Sequence, residues 1–135
     1  MLKFISRWGP ALAMMLVIFF SSSQAKGSEL MPDFGGWHDL IVKKGAHFLV
    51  YALLGLGLLR GLRGDQPPRR RDYFLAVLFA LAYAMGDEYH QTFTPGRNGN
   101  WNDVTLDTVG AGAALVAAYA WRRHLTRANS GEPST

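Results

Sequence analysis

The chain contains no cysteine. That absence excludes disulfides, cysteine-ligated zinc and thiol nucleophiles. It also carries no P-loop, no dinucleotide fingerprint, no serine-hydrolase elbow and no HExxH-type pair. Charge is missing from long blocks. Trp8 to Phe20, Gly45 to Leu59 and Tyr73 to Gly86 have no Asp, Glu, Lys or Arg, and Val104 to Ala120 has only Asp107. None of these blocks shows the charged stripe that a soluble amphipathic helix needs.

What is present is hydrophobic sequence gathered into blocks. The average is bland, with a mean hydropathy of +0.03 over 135 residues. A membrane span needs about 20 mostly apolar residues, and each block reaches that length with its flanks. The expectation is an all-α, polytopic membrane protein built as a four-transmembrane-helix bundle. Its spans are placed at about 4–23, 43–62, 73–90 and 104–122, within one domain covering 1–127. A polar tail over 128–135, with Gly131 and Pro133, is expected to be disordered.

The pI near 9.7 invites a nucleic-acid reading, but the positions of the basic residues argue against it. Lys3 and Arg7 precede the first block. Arg60, Arg63, Arg69, Arg70 and Arg71 lie between the second and third, and Arg122, Arg123 and Arg127 follow the fourth. Only Lys26, Lys43, Lys44 and Arg97 fall on the other side. This positive-inside pattern puts both termini in the cytoplasm. It calls for no nucleic-acid partner, because the aromatic interleaving of a single-strand binder is missing. The partners expected are membrane lipids, and the location a cell membrane crossed several times.

Residues 1–25 have two readings. Lys3 and Arg7, the apolar run and Ser23-Gln24-Ala25 resemble a cleavable signal peptide. Phe4 and Ile5 lengthen the run and favour a retained span. Residues 26–42 read as an outer loop, with Pro32, Gly35 and Gly36 as turn formers and Trp37 and His38 near the interface.

Polar residues gather where apolar blocks end. At helical spacing Lys44, His47, Tyr51 and Gly55 share one face. Ala76, Ala80 and Ala84 make a small-residue face that continues to Asp87 and Gln91, with Glu88 and His90 beside it. Asp103 and Asp107 head a similar face through Gly110, Ala114 and Ala118. Small residues at this spacing let helices approach closely in lipid, so the polar crowns should look inward. Thr94-Pro95-Gly96-Arg97 suits a type II turn that folds Arg97 back toward the carboxylates.

These residues resemble the VanZ-like family, small integral membrane proteins named after a teicoplanin-resistance accessory protein. Three blocks carry the likeness: Ser21-Ser22-Ser23-Gln24; Lys44-Gly45-Ala46-His47-Phe48 with Tyr51-Ala52-Leu53-Leu54-Gly55; and Asp87 through Arg97 with Asp103 and Gly110. The family pattern usually has asparagine four residues after the aspartate, where this chain has Asp107. The resemblance implies a multi-span envelope protein of the bacterial inner membrane, linked to glycopeptide antibiotic resistance. It leaves the biochemical activity open.

Several chemistries suit the pooled groups. Glu88, His47, Asp87 and Asp103 are the candidate catalytic residues, and Lys44, Tyr51, His90, Gln91, Arg97 and Asp107 the candidate substrate contacts. A salt-bridge network that merely fastens helices uses the same residues, with Lys44 and Arg97 neutralising two carboxylates. His47 with Asp87, Glu88, His90 or Asp103 offers ligands to zinc or manganese, although neither the metal nor any cofactor is specified. A metal-free acid–base pair of His47 with Glu88 or Asp107 is a further reading. A proton-coupled carrier is disfavoured, because the cluster sits at one end of the spans and not at the midplane. The reading these features favour is an envelope accessory protein acting at the outer leaflet on a lipid, a lipid-linked cell-wall component or a glycopeptide. A small intramembrane hydrolase or transferase is the alternative. The topology is tested by a reporter fused after Arg71, which should give a cytoplasmic signal; a periplasmic or extracellular signal overturns it.

Overall fold

The structure, a computed structural model, describes residues 1–24 and 36–130. The described residues form four α-helices: α1 (Leu2–Ser22), α2 (Gly36–Arg63), α3 (Arg70–Gln91) and α4 (Trp101–Ser130). There is no strand among the described residues. α1, α4 and the Ile41–Arg63 part of α2 are long and apolar enough to cross a membrane. α3 has the length but is not among them. Arg70, Arg71 and Asp72 at its start, and Asp87, Glu88, His90 and Gln91 at its end, dilute its apolar middle.

Two helix boundaries differ from the expected spans. α2 begins at Gly36, inside the stretch expected to be a loop through residue 42, because no glycine or proline follows Gly36 until Gly45. α4 runs on to Ser130, past residue 127, since helix breakers return only at Gly131. Residues 131–135 of the expected disordered tail, with Lys26, Pro32 and Gly35, lie outside the described residues.

α2 is the central helix. It packs against each of the other three, whereas α1 and α4 do not touch each other. The core is small and, apart from Tyr51, aliphatic: Ala11 and Ile18 from α1, Tyr51, Leu54 and Leu58 from α2, Ala76, Ala80 and Ala84 from α3, and Ala111 and Leu115 from α4. The large apolar residues Phe20, Leu49, Phe74 and Val116 point outward. Small inside and large outside is the packing order of helices that meet in lipid, where close van der Waals contact replaces hydrophobic expulsion. The α3 face expected from the alanine spacing is the buried one. On α4 the buried face is centred on Val104, Asp107, Gly110, Ala111 and Leu115, turned away from the expected Ala114 and Ala118, which are only half-buried.

Two glycines set the interhelical distances. A Cβ on Gly110 would lie 2.5 Å from the Phe48 carbonyl oxygen of α2. One on Gly57 would lie 2.8 Å from the Ala11 nitrogen of α1. At the second seam, Pro10 sits inside α1 and has no N–H to give the Ser6 carbonyl four residues back. Arg60 of α2 supplies the missing donor, with Nε 3.1 Å from that oxygen. Nearby, the Arg7 guanidinium pairs with Asp65 just after α2 and holds that carboxyl below its usual range. A lowered carboxyl stabilises the fold at neutral pH and loses that contribution only as pH falls through the lowered value.

The α2–α4 seam makes a sharp demand. Gly110→Val must push α4 off Phe48 and should lower stability by about 1–3 kcal/mol. The thermal unfolding midpoint of the purified protein in detergent measures this. The same change at the exposed Ala113 should leave the midpoint in place.

Candidate functional site

At the end of the bundle where α1 and α3 finish, seven ionisable residues that would be costly to leave unpaired come together from three helices and one loop, and Ser22 joins them from α1. Asp87 is the centre. Its Oδ1 accepts from the Ser22 hydroxyl of α1 at 2.5 Å, the length of a charge-assisted O–H···O bond. Its Oδ2 accepts from Gln91 Nε2 at 3.0 Å, one helical turn on. Ser22, Asp87, Glu88 and Gln91 are all buried. The same Gln91 amide reaches Glu88 Oε1 at 3.3 Å, and its Oε1 accepts from Arg97 Nη1 at 3.1 Å. One amide thus ties two acids to one cation.

The loop from α3 to α4 folds as its residues require. The Arg97 N–H donates to the Thr94 carbonyl at 3.1 Å, and Gly96 has φ +76°, the third-position geometry of a type II turn. Arg97, however, does not reach a carboxylate among the described residues. Its Nε and Nη2 donate to the carbonyls of Gln24 (3.1 Å) and Ser21 (3.2 Å). It caps the C-terminal end of α1, where unpaired carbonyls and the negative pole of the helix favour a cation. The expectation that Arg97 neutralises an acid is therefore corrected, because the carbonyls of α1 compete for the guanidinium. Asn100 closes the loop: its N–H donates to Glu88 Oε2 at 2.7 Å, and its side-chain oxygen accepts from the Asn102 N–H at 3.0 Å, starting α4.

A second group lies between α2 and α4. Lys44 Nζ pairs with Asp103 Oδ1 at 3.0 Å, both partly exposed. One turn deeper, His47 turns its Nδ1 edge toward Asp107 at 3.5 Å. Asp107 is fully buried, His47 a quarter exposed. Below them Tyr51 is also fully buried, its ring 6.5 Å from that of His47 and 6.4 Å from that of Tyr83. Among the described residues the Tyr51 hydroxyl and Asp107 Oδ1 have no hydrogen-bond partner, though Oδ1 too lies 3.5 Å from His47 Nδ1. The two groups share one field, since Asp87 and Arg97 both act electrostatically on His47.

Of the candidate residues, Asp87, Glu88, Gln91 and Arg97 fall in the first group, and Lys44, His47, Tyr51, Asp103 and Asp107 in the second. His90 stands apart: its ring stacks on Phe19 at 4.9 Å and its Nε2 meets the Ser23 hydroxyl at 3.0 Å. Among the described residues no three His, Asp or Glu side chains form a group able to hold a metal ion. The His38 side chain lies outside the described residues. Sequence reasoning missed Ser22 and Asn100 as site residues. A serine run ending an apolar helix, and an asparagine two residues before Asn102 at a helix start, were the available signals.

A family model described as VanZ/LLP1 matches residues 8–122, which include every residue of both groups. No curated protein and no solved structure matches the chain.

The two groups should respond differently to substitution. Ser22→Ala strips a short, buried bond from Asp87 and should lower stability by about 1–3 kcal/mol. Lys44→Met breaks a half-exposed pair and should cost under about 1 kcal/mol. Thermal unfolding of both variants in one detergent gives the ranking, and the reverse order would refute it.

Proposed function

The chain belongs to the VanZ/LLP1 family, and from that membership and the geometry above we propose a multi-pass envelope accessory protein that acts at the outer leaflet. Its object is a lipid, a lipid-linked cell-wall component or a glycopeptide antibiotic. The observation that carries this reading is the polar end of an otherwise apolar bundle. Four acids, two cations and a histidine sit there, and two buried polar atoms, the Tyr51 hydroxyl and Asp107 Oδ1, have no hydrogen bond among the described residues. A network built only to fasten helices satisfies its members, since an unpaired buried polar group is destabilising. Unsatisfied groups next to a partly exposed histidine suit a site that receives something.

The outer placement rests on the charges. Ten of the 14 basic residues lie at the ends of the four helices opposite to the polar site or just beyond them. With both termini in the cytoplasm, the polar end faces the outer leaflet. The retained first helix is part of the same proposal, because Ser22 and the carbonyls of Ser21 and Gln24 belong to the site. Cleavage after residue 25 would release all three.

A second reading, a small intramembrane hydrolase or transferase, is favoured by one contact. His47 presents Nδ1 to a buried carboxylate, which leaves the Nε2 edge of the ring for proton exchange with a substrate. Glu88 would then help to orient the substrate or the loop through Asn100.

Lipid and cell-wall-precursor profiles of cells with and without the protein separate these readings from a purely structural role. A changed profile that is lost with His47→Ala and Glu88→Gln, while both variants remain folded, is the expected result. Identical profiles in all four strains sink the proposal. Metal analysis of the purified protein, run beside them, tests the metal-dependent form of the enzyme reading.

A further inference from the structure

We infer that the group formed by His47, Tyr51 and Asp107 is a binding site for a primary ammonium group; the inference rests on the outer-leaflet reading and specifies its ligand. Formal charge is the first argument. Asp87, Glu88, Asp103 and Asp107 lie at one end of the bundle; Lys44 pairs with Asp103, and Arg97 is linked to Asp87 and Glu88 only through Gln91. Adding Lys43, one residue before Lys44, still leaves the acids in excess while His47 is neutral. An anionic phosphate entering this field would be repelled, whereas a cation would be drawn in.

The second argument is where the deficit lies. Asp87 is served by Ser22 and Gln91, Glu88 by Gln91 and the Asn100 N–H, and Asp103 by Lys44. Asp107 has only the long contact to His47, and its Oδ1 lacks a hydrogen bond. The Tyr51 hydroxyl, equally buried, is also unpartnered and lies within the field of Asp87, Asp107 and Glu88. Asp107 is thus short of a donor, and Tyr51, one turn further along α2 from His47, holds an unused hydroxyl. A primary ammonium brings one charge and three N–H donors. A carboxylate oxygen and a phenol oxygen are both acceptors it can use. A quaternary ammonium brings the charge without the donors, which separates recognition by hydrogen bonds from attraction alone.

The third argument is that this end of the bundle already holds an ammonium. Lys44 Nζ sits on Asp103 one turn above His47, so an ammonium is a group this rim accommodates. His47, a quarter exposed, stands between that rim and Asp107.

An ammonium of this kind reaches the leaflet on a lipid headgroup or as a free amine. The full-length protein is reconstituted in nanodiscs of phosphatidylethanolamine, phosphatidylcholine and phosphatidylglycerol in equal parts, and retained lipids are counted by native mass spectrometry. In a second arm, ethanolamine is added to protein in phosphatidylglycerol nanodiscs and the unfolding midpoint is followed. The expected result is retention of the ethanolamine lipid over both others by about tenfold, the size of one charge-assisted hydrogen bond. A lipid preference with no response to free ethanolamine assigns the headgroup as source, and the converse assigns a free amine. Asp107→Asn and Tyr51→Phe should abolish the effect, and Asp65→Asn, at the opposite end, should not. Equal retention of the three lipids together with no response to ethanolamine overturns the inference. That outcome uses the unsubstituted protein and so does not depend on any variant folding. Cells can still show an altered lipid or precursor profile in that case, which would leave the outer-leaflet reading standing without its amine ligand.

Discussion

A carboxylate placed inside an apolar bundle must find donors or be neutralised, and Asp87 governs how this chain meets that constraint. Its two oxygens recruit α1 through Ser22 and its own helix through Gln91. Gln91 then passes the connection to Arg97, and Arg97 returns it to α1 at the carbonyls of Ser21 and Gln24. The circuit is closed, running from α1 to α3 to the loop and back. Few direct contacts join α1 to α3 along their lengths, so these polar links supply much of what holds the two ends together. The loop is fixed by the same logic, because the N–H of Asn100 answers Glu88 while its side chain starts α4.

The group between α2 and α4 follows a different rule. There the close backbone approach at Gly110 does the joining, and the polar residues above it are not all satisfied. Where packing already secures two helices, their polar groups are released from structural duty. That contrast separates a fastening half, centred on Asp87, from a half that has capacity to interact, centred on His47 and Asp107. His90, tied to Phe19 and Ser23, belongs with the fastening half.

Much of this was legible in the residues. The helical repeat of Ala76, Ala80, Ala84, Asp87 and Gln91 marks a buried face, because only small residues recur at that spacing and the polar ones continue it. Lys44 and His47 fall on one face for the same geometric reason. On α4 the signal is weaker: Gly110, Ala111, Gly112, Ala113 and Ala114 are all small, so composition cannot say which side packs, and the buried face is rotated from the expected one. The partner of Arg97 was not legible at all. A guanidinium can satisfy carboxylates or carbonyls equally well, and the choice depends on where α1 ends in space. The polar ends of α3 also hid a limit, since the residues that build the site are those that make this helix less apolar than its neighbours.

Pro10 carries a consequence for how the chain comes together. By withholding an N–H it leaves the Ser6 carbonyl open, and Arg60, 54 residues later in the chain, completes that turn of α1. The first helix is therefore not self-sufficient in its backbone bonding. Until α2 lies beside it in register, that oxygen depends on water at the membrane surface. The bond also serves as a ruler between the two helices: a slide of one turn would part Arg60 from Ser6, Gly57 from Ala11, and Asp65 from Arg7 at once. The α1–α2 hairpin is thus the smallest unit in which the Pro10 turn of α1 is complete.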